Sequence, residues 1–201
     1  MVAQPWPRHM SVKEWRELER TSYDIKHEYI DGHVYVMSGG SLAHSRISLN
    51  VCAALEGALM AAGKPCYVYN SDAATRLSSR RYTYPDASVT CDERDQPTPH
   101  KTEIQSPRVI VEVLSASTEA YDRGEKFGYY RSCPDVQEYV LVATRYQTVE
   151  VYRRTSPRWI YDAYGPDDEV ELMSLDIRLL VASLYRNAGV PEIINEAEGE
   201  V

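Results

Sequence analysis

Short apolar runs separated by polar turns dominate the chain, and most of them predict strands. Clusters of β-branched and aromatic residues bounded by turn residues are typical of strands. The predicted strands are 66–69, 73–77, 87–90, 109–114, 138–142, 148–152 and 159–163. The segment 92–107 is polar and carries prolines, so we predict a mobile loop there.

Helical periodicity is limited to a few segments. Apolar residues from Ile47 to Leu59 recur at helical spacing, and Gly63 follows as a C-cap. The predicted helices are 11–20, which opens with a capping-box pattern, the core helix that stops at Gly63, 122–131 and 179–185, and a hairpin is predicted over 27–37 with its turn at Asp31-Gly32. Helices mixed with strands predict an α/β (α+β) fold with an N-terminal helix and hairpin as a lead-in.

Two acids stand at the ends of predicted strands. Glu112 is the only charged residue in the run Val109–Leu114, and an ionised glutamate is costly to bury without a partner. Asp86 follows Pro85 and opens the strand 87–90. Carboxylates on neighbouring strands can share a hard cation, and Mg²⁺ suits such a pair because it keeps several waters beside one or two carboxylates.

A lysine follows the second acid on a predicted helix. Asp122 is the expected N-cap, and Lys126 and Tyr130 stand four residues apart on one helix face. We expect the first turn of this helix to point back toward the strand end. Lys126 would there orient an attacking water or offset charge on a phosphate.

The combination of these motifs resembles the Uma-type putative restriction endonucleases, a branch of the PD-(D/E)xK nuclease superfamily. The likeness spans about residues 11 to 152. The residues that carry it are Pro85-Asp86, Glu112-Val113-Leu114-Ser115, Ser117-Thr118, Asp122, Lys126, Tyr130 and Glu138-Tyr139, together with Glu28, Asp31-Gly32 and His44.

This resemblance implies a restriction-endonuclease-like core, in which a mixed β-sheet flanked by helices supports hydrolysis of DNA phosphodiester bonds. Mg²⁺, with Mn²⁺ as a substitute, would be held by Asp86, Glu112 and the backbone carbonyl of Val113. Leu114 stands where the superfamily has its lysine, so that role would move to Lys126. The supporting residues that the likeness implies are Glu28, His44, Ser115 and Tyr130.

The remaining expectations concern the number of domains, the location, the oligomeric state and the C-terminal segment. The 201 residues fit one domain, 1–201, with its core at about 41–153, and we expect a cytoplasmic protein without a membrane span. A homodimer is expected because cutting both DNA strands needs two sites. The acidic end, 196–200, is expected to fray.

A net charge of −8 opposes general affinity for nucleic acid, so a local basic patch would be needed. The candidates for a phosphate-facing rim are Arg76, Arg80, Arg81 and Arg123, and the competing interpretation is a solvated hairpin tip and helix face. Four widely spaced cysteines form no C-x-x-C pair, which favours reduced thiols over a zinc site or a disulfide framework.

Each candidate residue also has a structural interpretation. Asp86 can cap a turn, Glu112 can pair with an arginine, and Lys126 can be a solvated helix residue. A protein built this way would be a non-catalytic binding or assembly module, which is consistent with the acidic charge and the missing lysine at 114, and it would bind no metal at the acid pair. A third alternative is a two-carboxylate hydrolase such as a glycosidase.

Overall fold

A computed structural model describes residues 9–22, 24–37 and 39–192, so the acidic segment 196–200 lies outside the described residues. The elements in chain order are α1 (Val12–Thr21), β1 (His27–Ile30), β2 (His33–Val36), α2 (Leu42–Ala61), β3 (Tyr67–Asn70), β4 (Ala74–Ser78), β5 (Arg81–Thr83), β6 (Ala87–Thr90), a 3₁₀ turn (Glu93–Asp95), β7 (Glu103–Ile104), β8 (Val109–Val113), α3 (Glu119–Tyr121), a π-helical turn (Asp122–Lys126), α4 (Phe127–Ser132), β9 (Glu138–Val142), β10 (Val149–Thr155), β11 (Arg158–Tyr164), β12 (Glu169–Leu172), β13 (Ile177–Leu180) and α5 (Val181–Leu184).

These strands form two larger sheets and one separate hairpin. The six-stranded sheet has the order β11-β10-β9-β8-β6-β3, and its central pair, β8 and β9, is parallel. The five-stranded sheet has the order β2-β1-β5-β4-β7, and β12 pairs with β13. This mixed arrangement with flanking helices confirms the predicted fold class.

The central strands are buried on both faces, which explains their almost continuous apolar sequence. On one face, odd-numbered valines of β8 join the core that α2 covers with Ile47, Val51, Leu55 and Leu59. On the other face, Ile110 packs with Tyr130 and Tyr139. Glu112 alternates with its valine neighbours and therefore faces the Tyr130 side.

The cysteine prediction was wrong for two of the four residues. Cys66 and Cys91 form a disulfide, whereas Cys52 and Cys133 are free thiols. The reason is the register of β3 on β6, in which Tyr67 pairs with Thr90 and the flanking cysteines therefore face each other. A separation of 25 residues along the chain gives no sign of that register.

Several elements depart from the predicted ones. The segment 179–185 is not one helix, because Ile177–Leu180 alternates buried and exposed residues as a strand before the short helix Val181–Leu184 begins. Strands β5, β7 and β12 were not predicted. Periodicity alone separates short strands from helical segments poorly.

The helix that carries Lys126 begins earlier than predicted. Its N-cap position is Thr118, not Asp122, because Ser115 accepts hydrogen bonds from the amides of Thr118 and Glu119 and so opens the first turn. Asp122 instead starts the π-helical turn and is buried. Across this turn, Asp122 Oδ1 lies 3.8 Å from Lys126 Nζ.

Asp95 ties the polar segment 92–107 to the sheet. Its buried carboxylate accepts hydrogen bonds from the Thr90 hydroxyl, at 3.0 Å, and from the amides of Gln105 and Ser106. Lys101 lies 3.1 Å from the same carboxylate. Within the described ranges, no helix has both the length and the apolar character needed to cross a membrane.

Candidate active site

The pairing of β6 with β8 places the two predicted acids side by side. Ala87 pairs with Val111, so the same register continued by one residue puts Asp86 opposite Glu112. The amide of Val113 donates a 2.8 Å hydrogen bond to Asp86 Oδ2, which links the two strand ends directly. The structure therefore brings Asp86 and Glu112 together where the neighbouring inner strands β6 and β8 of the six-stranded sheet end.

Two side chains from the first turns of α2 hold the Asp86 carboxylate from the other side. The Ser48 hydroxyl donates to Asp86 Oδ1 at 3.1 Å, and His44 Nε2 lies 3.4 Å from Oδ2. Burial alone lowers the pKa of His44, but the hydrogen bond to Asp86, the charge of Asp86 and the backbone of Val113 outweigh it and raise the pKa of His44. His44 is therefore a component of the site, and its backbone amide donates a 3.1 Å hydrogen bond to the hydroxyl of Ser41, the N-cap of α2.

Glu112 is almost fully buried, with 4% of its surface exposed. Its Oε1 atom accepts a 2.6 Å hydrogen bond from the Tyr130 hydroxyl and lies 2.8 Å from Lys126 Nζ. Burial raises the pKa of Glu112 to about 8. Lys126 opposes this shift through its positive charge, and three nearby carboxylates add to it. The folded protein thus favours the neutral form of Glu112 unless more positive charge reaches the site.

Lys126 lies among three acids. Its Nζ atom is 3.2 Å from Glu28 Oε1 and 3.8 Å from Asp122 Oδ1, in addition to its contact with Glu112. Burial alone would lower the pKa of Lys126, but Glu112, Glu28 and Asp122 outweigh it and raise the pKa. Lys126 consequently remains an ammonium group, able to donate hydrogen bonds but not to act as a base at neutral pH.

Glu28 reaches this cluster from the five-stranded sheet. Its strand, β1, is buried along its whole length, and Glu28 Oε1 also accepts a 3.1 Å hydrogen bond from the amide of Tyr84. That bond joins β1 to the segment that leads into Asp86. Both sheets therefore contribute acids to one site.

A cavity of about 360 Å³ opens onto this cluster. The predicted residues that line it are Glu28, His44, Asp86, Glu112, Val113, Ser115 and Lys126. Tyr130 lies behind the cavity and supports Glu112. Ser115 bonds mainly to its own loop, through the hydroxyls of Ser117 and Thr118.

The four rim arginines do not line the cavity among the residues that the structure describes. Arg81 lies 2.7 Å and Arg80 3.6 Å from Asp31. Arg123 contacts Glu119 and makes a paired contact with Glu150. Arg76 is half-buried on β4, across from Tyr82. Arg80, Arg81 and Arg123 thus form ion pairs with acids of the same chain, and their role as a phosphate-facing rim stays a prediction.

Asp122, Ser48 and Tyr121 are among the cavity residues that lie outside the predicted set. Asp122 is a buried acid beside Lys126, and their spacing of four residues on a helix was the available sequence signal. Ser48 binds Asp86 from α2, and Tyr121 lies one residue before the π-helical turn. The positions of Ser48 and Tyr121 depend on how their helices pack, which the sequence pattern does not specify.

The donor set fits a hard divalent cation bound with water. In residues 9–22, 24–37 and 39–192, no three or more His, Cys, Asp or Glu side chains form a ready-made metal cluster. Mg²⁺ does not require one, because it commonly uses one or two carboxylates and keeps waters. Burial is the main cause of the raised pKa of Glu112 and three nearby carboxylates add to it, so a bound cation would favour the ionised form.

The mixed sheet with acids at the ends of adjacent strands defines a restriction-endonuclease-like α+β fold. A crystal structure titled as a putative nuclease belonging to DUF820, from Anabaena variabilis ATCC 29413, superposes with a TM-score of 0.70 and covers 88% of this chain and 98% of that chain. Their sequence identity is 18%, so this likeness establishes the fold alone.

The family follows from sequence comparison. The model of the Uma2 family, described as "Putative restriction endonuclease", matches residues 12–184, and the chain belongs to this family. The uncharacterized protein slr1290 of Synechocystis sp. is 38% identical over 188 residues, which cover 90% of this chain and 94% of slr1290. A second Synechocystis protein, the uncharacterized protein sll1609, is 30% identical over 171 residues, covering 84% and 95% of the two chains. The predicted family resemblance is confirmed.

Proposed function

We propose that the protein is a Mg²⁺-dependent nuclease that hydrolyses phosphodiester bonds in DNA. The observation that carries the proposal is the meeting of Asp86 and Glu112 on adjacent strands in one cavity, with Lys126 Nζ at 2.8 Å from Glu112. Family membership supports a nuclease function. Asp86, Glu112 and the Val113 carbonyl would hold the metal, with Mn²⁺ as a substitute.

The chemistry that Mg²⁺ supplies at such a site is polarisation of the scissile phosphate and a lowered pKa for a water molecule. The protein holds the side chains that take part in the reaction in fixed positions. Val113 and Ser48 hold both oxygens of Asp86, so this carboxylate needs little reorganisation on binding. Lys126 donates hydrogen bonds from its ammonium group, which suits it to orient the attacking water and to offset charge on the phosphate.

The burial of this cluster supports a functional interpretation over a structural one. Buried carboxylates around a single lysine cost stability, and strongly shifted pKa values gather at functional sites. The glycosidase alternative lacks support from the family, because the matching family model is described as a putative restriction endonuclease. The non-catalytic module is distinguished by experiment, since it predicts no metal binding.

The test is calorimetric titration of Mg²⁺ and Mn²⁺ together with a DNA-nicking assay. Wild type is expected to bind metal and cut DNA, whereas Asp86→Asn and Glu112→Gln lose both properties. Glu56→Gln is the matched control, because Glu56 is exposed on α2 and does not line the cavity. Cutting by both site variants at the wild-type rate would contradict the proposed mechanism.

A further inference from the structure

The reacting groups lie deep inside a small cavity. Glu28, Glu112 and Lys126 are 4 to 6% exposed, and the cavity volume of about 360 Å³ is near the lower limit for small-molecule sites. In a regular duplex, base stacking and base pairing hold each nucleotide within the double helix. Backbone phosphates lie on the outside of a duplex, but a whole nucleotide, base included, can enter a cavity of this size only where pairing is absent or broken, and extrusion of a paired base costs free energy.

One wall of the cavity is aromatic and apolar. Tyr35 pairs with Glu28 across the β1–β2 hairpin, so its ring lies on the same face of the sheet as that acid. Val36, Met37 and Tyr121 continue the wall. Aromatic side chains beside a phosphate site are what an unpaired base uses for stacking, and such stacking tolerates different base sequences.

Tyr121 provides a second, independent observation. Its hydroxyl oxygen is buried and has no hydrogen-bond partner among the residues that the structure describes. A buried hydroxyl without a partner costs stability and is uncommon in folded proteins. Tyr121 also lines the cavity, so a small turn of its side chain on binding would let an acceptor on a nucleotide satisfy the hydroxyl.

The charge distribution opposes tight binding of a duplex backbone. Duplex affinity depends on many contacts from lysine and arginine to phosphates. Here the net charge is −8, and Arg80, Arg81 and Arg123 already pair with acids of the same chain. Affinity must therefore come mainly from the cavity, through stacking and a small number of phosphate contacts.

We propose that the cavity accepts one unpaired nucleotide at a time, so that the substrate class is single-stranded nucleic acid or the unpaired stretches and ends of a duplex. The proposal rests on the proposed nuclease function. Tyr35 and Tyr121 are the residues that position the nucleotide, next to the acids but outside the metal-binding set.

The experiment compares one oligonucleotide carrying 2-aminopurine in three forms: single-stranded, fully paired, and paired with a central unpaired bubble. Binding is measured by fluorescence without metal, and cleavage is measured with Mg²⁺ or Mn²⁺. The single strand and the bubble are expected to bind and to be cut at least tenfold better than the full duplex. Tyr35→Ala and Tyr121→Phe should raise KM for the single strand while metal binding by calorimetry is unchanged.

Tyr161→Ala is the matched control, because Tyr161 is exposed on β11 and does not line the cavity. Equal binding of duplex and single strand, or wild-type KM in both tyrosine variants, would overturn the inference while leaving a nuclease function intact. Preferential binding of the single strand without any cleavage would refute the nuclease proposal and still support the binding mode. The two failures are therefore distinguishable.

Discussion

Lys126 is a buried ammonium group on which the charge balance of the cavity depends. It contacts Glu112 at 2.8 Å and Glu28 at 3.2 Å, and both acids are buried. Removing it would leave Glu28 in low dielectric without its counter-charge and would favour the neutral form of Glu112 still further. The same contacts that suit Lys126 for catalysis thus also make it part of the folded structure.

Lys126→Met is expected to lower the free energy of unfolding by about 3 to 5 kcal/mol at pH 7 without metal. Urea unfolding measures the change. Lys64→Met is the control, because the Lys64–Asp176 pair is largely exposed and should contribute less than about 1 kcal/mol. A similar loss in both variants would show that the Lys126 contacts are weaker than their burial indicates.

Cys133 gives a pH-dependent prediction outside the cavity. Burial raises the pKa of this thiol, although backbone hydrogen bonds from the following residues oppose the shift. Less thiolate is then present at any given pH, so native Cys133 should react with iodoacetamide more slowly than in unfolded protein at pH 8. The folded state favours the neutral thiol, so the stability it contributes is intact below about pH 8.5 and declines as pH rises beyond that value.

Mass spectrometry of alkylated peptides checks this prediction at a series of pH values. Cys133→Ser removes the signal and identifies it. Reaction of native Cys133 at the unfolded rate at pH 8 would disprove the shift.

At the residue scale, the sequence predicted the acids and the lysine but not all their neighbours. Glu112 was recognisable because a single charge in an apolar run demands a partner, and Asp86 because it follows a proline at a strand start. Asp122 was given a capping role, whereas it is a buried acid of the cavity. The start of the helix depends on the Ser115 turn, and local pattern does not reveal that turn.

Among the elements, strand β8 and its partner β9 were the most predictable. Both are buried on each face, so β-branched and other apolar residues run almost unbroken through them. β5 and β12 contain polar residues at half their positions or more, and they are strands because a neighbouring strand pairs with them. Such tertiary pairing overrides what a short local sequence can indicate.

The disulfide connects β3, at the edge of its sheet, to β6, the strand that Asp86 precedes. It closes a loop of 25 residues that includes Asp86. A disulfide that closes a loop of this length stabilises the folded state by about 3 kcal/mol, if its effect comes from the lower conformational entropy of the unfolded chain. Reduction should therefore lower the free energy of unfolding by roughly that amount.

Urea unfolding with and without dithiothreitol measures this effect. The double variant Cys66→Ser/Cys91→Ser is the control and should be insensitive to reductant. A wild-type midpoint unchanged by reductant, with all four thiols free by mass spectrometry, would contradict the prediction.

For the whole molecule, the single-domain organisation of residues 1–201 stays a prediction, as does the homodimer. The cavity draws on both large sheets, and the Glu28–Tyr84 bond crosses between them. We expect one cooperative unfolding transition for this reason. Trp15 packs beside the five-stranded sheet, whereas Trp159 packs beside the six-stranded sheet, so their fluorescence reports on different parts.

Trp6 is the third tryptophan of the chain, so the double variants Trp6→Phe/Trp15→Phe and Trp6→Phe/Trp159→Phe each leave a single reporter. Within each variant, the fluorescence midpoint in urea should coincide with the midpoint from circular dichroism. Separate midpoints would show that the two sheets unfold as independent units.

The order of the site residues along the chain has a consequence for synthesis. Glu28, Asp86 and Glu112 all leave the ribosome before Lys126. A nascent chain therefore cannot complete this constellation until Lys126 has been translated. If the protein is the nuclease proposed above, shorter chains carry the acids without the ammonium group that the proposed chemistry uses.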